Sequence, residues 1–161
     1  MSKYVTAPPI PQVVGNITEH IQHEIERRSY LVSNELRNSA MLVLRGQRSG
    51  RRYKVPGTYR RQRDKVSGKM KNGRYYTASA PGEPPAVRTG AFRMGWQPVT
   101  RAMFGSYISR IENDVRTENG VYTLGEILED GTSKMAPRPY QDRILEKSAN
   151  KTLRIYSEPY F

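Results

Sequence analysis

The sequence predicts an α+β fold: a small antiparallel sheet of about four strands packed on a long N-terminal helix and a shorter C-terminal helix, with an extended arm and loops. Three observations predict it. Apolar residues recur at helical spacing from Ile17 to Leu44. Two short runs rich in β-branched and aromatic residues flank Gly105. An amphipathic stretch opens at Pro139, a residue suited to a helix start.

The elements follow in order. Pro8, Pro9 and Pro11 disfavour helix, so residues 1–15 read as an extended arm. Asn16 is placed to cap the long helix, with Glu19 as its reciprocal partner three positions on. Ile17, Ile21 and Ile25 begin the stripe, which continues through Leu31 or Val32, Leu36, Ala40 and Val43 or Leu44. Gly46 is the expected stop. Residues 92–96, 99–104 and 107–111 read as strands, with a turn near Gly105. Residues 121–129 read as a short helix ended by Asp130-Gly131. The last helix turns Tyr140, Ile144, Leu145 and Ser148 inward as far as Asn150, and residues 153–161 suggest a final strand with an aromatic end. At 161 residues the chain is one domain in length. The reading is therefore an arm over 1–15 and a single α+β domain over 16–161, with a basic loop inserted at about 45–75.

Composition bounds the function. Hydrophobic residues make up 36% of the chain against a usual 45–50%, and mean hydropathy is −0.76. A chain this polar, with 13 Gly and 11 Pro, suggests long loops around a modest core and further burial against partners. Net charge is +12, and residues 45–74 hold twelve basic residues against the single acid Asp64. Nearly the whole excess lies in that segment, which has little apolar periodicity and reads as a loop, with a loose hairpin around Lys71-Asn72-Gly73. Such charge favours nucleic acid or acidic protein surfaces. There is no cysteine, hence no disulfide or thiolate metal site. No apolar run is long enough for a membrane span, and the first fifteen residues lack a signal peptide's apolar core, so neither membrane nor secretory route is expected.

Chemistry-bearing motifs are few. His20 and His23 share a helix face, but zinc needs a third protein ligand and no other His or Cys exists, so a solvated face is the simpler account. Glu129 and Asp130 beside Thr132 are too few oxygens for a divalent cation, and Gly131 as a helix cap explains the motif. Arg138 is placed to pair with Glu129 or Glu126. No nucleophile–base pair or phosphate-binding glycine motif appears, so neither enzymatic activity nor a cofactor is expected. The loop Pro81-Gly82-Glu83-Pro84-Pro85 is stiff, because proline reduces the entropy lost on ordering, and Glu83 offers one charge for register. It suits docking between subunits or an intramolecular cover on the sheet.

Three segments in this order resemble the neck or tail-completion family of long-tailed bacteriophages, to which the Lambda-type minor tail protein Z is related. They are the helix and basic stretch over 16–54, the loop 78–85 followed by Thr89-Gly90, and Tyr122 followed by residues 129–132 and 135–140. The stretch near 59–74 is additional to the family's pattern.

The resemblance implies a structural virion protein of the neck, assembled in the host cytoplasm and working in head–tail joining or tail completion. It would form a homo-oligomeric ring, six-fold if it shares the tube's symmetry, through which DNA passes. Its neighbours would be a head-completion or connector protein and a tail terminator or tail tube protein. Subunit-interface candidates are then Pro81, Gly82, Glu83, Pro84, Pro85, Glu129, Gly131, Thr132 and Arg138. Candidates for partner docking or DNA contact are Arg48, Arg51, Arg52, Lys54, Arg60, Arg61, Arg63, Lys69 and Lys71, interleaved with Tyr53, Tyr59, Tyr75 and Tyr76. The alternative is a basic nucleic-acid-binding accessory protein, which rests on charge and tyrosines alone.

Overall fold

The structure is a computed structural model, which describes residues 9–55, 62–63, 66–68, 70–71, 74–88 and 90–160. It mixes helix and strand around one long N-terminal helix, α1, Ile10–Arg45. Pro9 precedes the helix in extended geometry and Pro11 lies in its first turn. Proline is harmless there, because first-turn N–H groups have no intrahelical acceptor. The amides of Gln12 and Val13 donate to the Pro9 carbonyl at 3.0 and 3.2 Å. Residues 10–15, expected in the arm, are thus helical, and Asn16 lies inside the helix and not at its cap. At the other end Arg48 folds back, its Nη2 donating to the Val43 carbonyl at 3.0 Å. A cation on last-turn carbonyls closes the helix without a left-handed glycine.

The strands pair two by two instead of forming one sheet of about four. β1 (Arg52–Lys54) pairs antiparallel with β4 (Tyr75–Thr77), enclosing the short pair β2 (Gln62–Arg63) and β3 (Met70–Lys71). After a one-turn helix α2 (Ala91–Met94), β5 (Gln97–Met103) pairs with β6 (Ser106–Glu112) across the two-residue turn Phe104-Gly105. Both turn residues have positive φ, 47° and 76°, the geometry that matches strand twist in a tight hairpin. Of residues 92–96, expected in a strand, 92–94 are helical. Here Asn113 Nδ2 donates to the Phe92 carbonyl at 2.7 Å, satisfying a terminal carbonyl of the short helix.

α3 (Leu124–Asp130) ends on Gly131, as expected, with φ 79° and ψ −168°. α4 (Gln141–Ser157) continues past Asn150, so the expected C-terminal strand does not form. The reason is periodic: Ile144, Ser148, Thr152 and Ile155 all turn to the covered face, and no breaker interrupts them.

The core lies at the C-terminal half of α1. Ala40, Leu44, Trp96, Tyr140 and Ile144 are buried, with Val43, Phe92, Ile111 and Leu128 packed around them. Phe92, Trp96 and Tyr140 form a closed triangle of edge-to-face contacts, centroids 5.5–5.9 Å apart. Further toward the N-terminus the contact layer is polar. Ser33 Oγ lies 3.1 Å from Thr100 Oγ1, and Ser109 Oγ donates to the Ser29 carbonyl at 2.8 Å. Small side chains let α1 approach the hairpin closely, while each hydroxyl keeps a hydrogen bond. α4 lies along α1 and is joined to it by the Lys151–Glu35 ion pair at 3.1 Å. Among the described residues no helix is long and apolar enough to cross a membrane.

Candidate functional site

The three segments singled out in the sequence meet at one place. Glu83 is the hub. Its carboxylate accepts from Ser49 Oγ at 2.6 Å, from the Ser49 amide at 3.1 Å and from the Ala80 amide at 2.8 Å. These bonds, the Ser49 hydroxyl first, with the Arg48 charge nearby, hold the carboxyl down at about 2. Gly82 donates its amide to the Pro137 carbonyl at 3.2 Å and accepts from Arg143 at 2.9 Å. Arg48, expected on a solvent-facing loop, is half-buried and bridges the Val43 and Pro85 carbonyls. Pro84 and Pro85 are buried; Pro81 is exposed. The loop's polar groups therefore bind within the chain, and Pro81 and Gly82 remain at the surface.

The 129–138 segment is organised the same way. Glu129 accepts the Tyr140 amide at 3.0 Å. Among the described residues no ion pair joins Arg138 to Glu129 or Glu126; the Arg138 backbone donates to the Leu128 carbonyl at 2.8 Å. Thr132 closes a small turn with Met135, at 2.8 and 3.2 Å. Gly131 has a second reason to be glycine besides its φ. A Cβ there would sit 2.6 Å from the Met135 carbonyl oxygen and 2.8 Å from the Pro137 nitrogen.

Of the basic candidates, Arg51, Arg52 and Lys54 lie on or beside the exposed β1/β4 hairpin. Tyr53 and Tyr76 stack at 5.9 Å, and Arg52 covers the Tyr75 ring at 4.6 Å. Arg63 and Lys71 belong to β2 and β3. Arg60, Arg61 and Lys69, and Thr89 of the second segment, lie outside the described residues. His20 shares no group of three metal-ligating side chains with His23 among the described residues.

Two features escape sequence reasoning. One is Arg28, 1% exposed, whose guanidinium donates to the carbonyls of Glu158 and Pro159 at 2.6 and 2.7 Å and covers the Tyr160 ring at 4.0 Å. Its signal was present: Arg28 falls within the inward-facing stripe Ile21, Ile25 and Val32. The other is an open cavity of about 950 Å³ at the core end of α1. Its walls include Leu44, Phe92, Val115, Leu124, Ile127 and Leu128, with Arg88, Arg93, Arg116 and Arg138 set among them against the single acid Glu118. Arg93 Nε and Arg138 Nη1 are buried without a hydrogen-bond partner among the described residues. The cavity is assembled from five separated segments, so no local motif could announce it.

Compared with known proteins, the chain matches no family model, no curated protein and no solved structure.

Proposed function

We propose that this chain is a structural subunit of a tailed-phage neck, acting as a homo-oligomeric ring in head–tail joining or tail completion, through which DNA passes. The observation that carries the reading is the uncovered start of α1. Every residue from Pro9 to His20 is exposed, including Ile10, Val13, Val14 and Ile17. A helix that leaves about two turns of apolar stripe in water is built to be covered by another chain. The phage context comes from the motif resemblance, and the meeting of its three segments at Gly82 and Glu83 supports treating them as one unit. Work in the neck is mechanical. Exposed loops would engage a connector or terminator, and no catalytic step is assigned.

Two tests apply. Purified protein should form closed rings in negative-stain micrographs, with a central hole wide enough for duplex DNA. Deleting the gene from the encoding phage should leave heads and tails unjoined; normal infectivity after deletion refutes the reading.

One observation favours a second reading, a basic nucleic-acid-binding accessory protein: a hairpin whose Tyr53–Tyr76 stack carries Arg51 over Tyr53 and whose exposed Tyr75 lies under Arg52 and Lys54. Binding that weakens with salt by about 0.9 log units per phosphate contact per tenfold salt, and that Tyr53→Ala weakens further, supports it. Ring formation without such binding supports the first.

A further inference from the structure

We infer that the β1/β4 ribbon grips duplex DNA by entering its major groove, where Arg51, Arg52 and Lys54 meet phosphates while Tyr53 and Tyr75 hold the cations in place. This grip deepens, and rests on, the nucleic-acid reading of the hairpin.

An antiparallel hairpin commonly lays one face on a core and leaves the other wet. This one lays down neither. β1 is exposed along its length, and of the β4 residues only Tyr76 is half-buried. Side chains alternate across the ribbon, so Arg52, Lys54, Tyr75 and Thr77 share one face and Arg51, Tyr53, Arg74 and Tyr76 the other. Each face thus carries cations beside aromatic rings, and residues 51–55 and 74–78 contain no acid. Among the described residues no carboxylate pairs with Arg51 or Arg52. An acidic protein surface or a single strand would cover one face. A duplex groove is walled by phosphates on both sides, and the major groove admits a two-stranded ribbon.

The rings are already occupied. Arg52 Cζ lies 4.6 Å from the Tyr75 centroid with Lys54 Nζ at 6.0 Å, and Arg51 Cζ lies 5.7 Å from the centroid of Tyr53, which also stacks on Tyr76. A base would have to displace a cation or a ring to take those faces. A guanidinium held over a ring loses less freedom on binding and keeps its N–H edge for phosphate oxygens. Tyr53 and Tyr75 are therefore positioning residues. The ribbon is also fixed at its root. The Gly50 amide donates to the Ala78 carbonyl at 3.0 Å and the Ala78 amide to the Arg51 carbonyl at 2.9 Å. The approach is so close that a Cβ at Gly50 would lie 2.5 Å from the Ala78 oxygen. Ser49, one residue earlier, is tied to Glu83. A two-stranded hairpin alone is marginal in water, and this anchorage sets its geometry before a partner arrives.

The assay is fluorescence anisotropy of the full chain with a labelled duplex of mixed sequence and with the matching single strand, over a salt series. Duplex should bind more tightly than single strand, with little change between sequences. Arg51→Gln and Arg52→Gln should each flatten the slope of log affinity against log salt by about 0.9. Tyr75→Leu should weaken duplex binding about two- to fivefold at unaltered slope, whereas Tyr75→Phe keeps the ring and should bind as wild type. In the Arg52→Gln chain Tyr75→Leu should cost almost nothing further, because the ring acts through that arginine. The substituted positions are exposed, so circular dichroism should show unchanged folds. A single strand bound as tightly as duplex, or a Tyr75→Leu cost that persists in full in the Arg52→Gln chain, overturns this grip and leaves the nucleic-acid reading standing. Binding to neither nucleic acid, or a poly-glutamate competitor that matches duplex charge for charge, overturns both.

Discussion

Removing the Tyr140 ring tests how the small core is held. The side chain is 2% exposed, closes the triangle with Phe92 and Trp96, and donates its hydroxyl to the Gly125 carbonyl at 3.2 Å. Truncating a buried aromatic to alanine costs about 3–5 kcal/mol, and that figure already contains most of the ring-pair and hydrogen-bond contributions. Tyr140→Ala should therefore remove about 4 kcal/mol, a third or more of a typical domain's stability, and lower Tm by roughly 8–16 °C. The assay is urea unfolding followed by fluorescence of Trp96, the chain's single tryptophan, whose emission should shift red even before unfolding. Tyr140→Phe keeps the ring and should lose only about 1 kcal/mol. It also isolates a pH effect. Burial pushes the Tyr140 hydroxyl up to about 12 from 10.0, so the unfolded chain ionises first and stability falls as pH rises from 10 to 12. The Phe variant should lose less over that window. A Tyr140→Ala protein within about 1 kcal/mol of wild type, with Trp96 emission unchanged, refutes the packing argument.

Three further outcomes follow from single contacts. Gly131→Ala should destabilise by about 1–3 kcal/mol from backbone strain alone, with the clash against Met135 and Pro137 adding to it; a calorimetric Tm equal to wild type contradicts this. Glu83, held at about 2, is ionised above its ordinary 4.5, so its contribution is present above pH 4.5 and lost as pH falls toward 2. Glu83→Gln should flatten the acid limb of a Tm-versus-pH curve, and an unaltered limb argues against the hub. Arg28→Met should release residues 158–160 from α1, seen as faster amide exchange there with helix content preserved.

Much of the fold was legible locally, and the misses share causes. The α1 stripe, the Gly105 turn and the Gly131 stop all rest on interactions within a few residues. The early start of α1 was hidden because proline reads as a breaker, although its first-turn position suits it. The strand expected at 153–161 lost to a helical stripe that pattern counting carried only to Asn150. Polar positions at 29, 33 and 39 gave no core signal, because buried serine is identified only by what it faces, whereas Ser148 is marked inward by its spacing from Ile144. For the site, a charged residue's neighbours decide its role. Arg48 and Glu83 look like surface charges in sequence and are tied within the chain by carbonyls and hydroxyls more than thirty positions away.

The molecule is polarised, and that polarity makes its stability a test of assembly. Its hydrophobic core occupies one end of α1, while the other end exposes Ile10, Val14 and Ile17 at 79, 56 and 43%. Fully burying such a side chain contributes about 1.5–3 kcal/mol, so covering these three, already partly shielded, adds roughly 3 kcal/mol per interface. Stability gained on association follows mass action. Thermal unfolding should therefore shift upward with protein concentration in the wild type, and much less in the chain carrying Val14→Lys and Ile17→Lys. A Tm that stays constant over about a hundredfold range of wild-type concentration means that the exposed stripe finds no partner in its own kind.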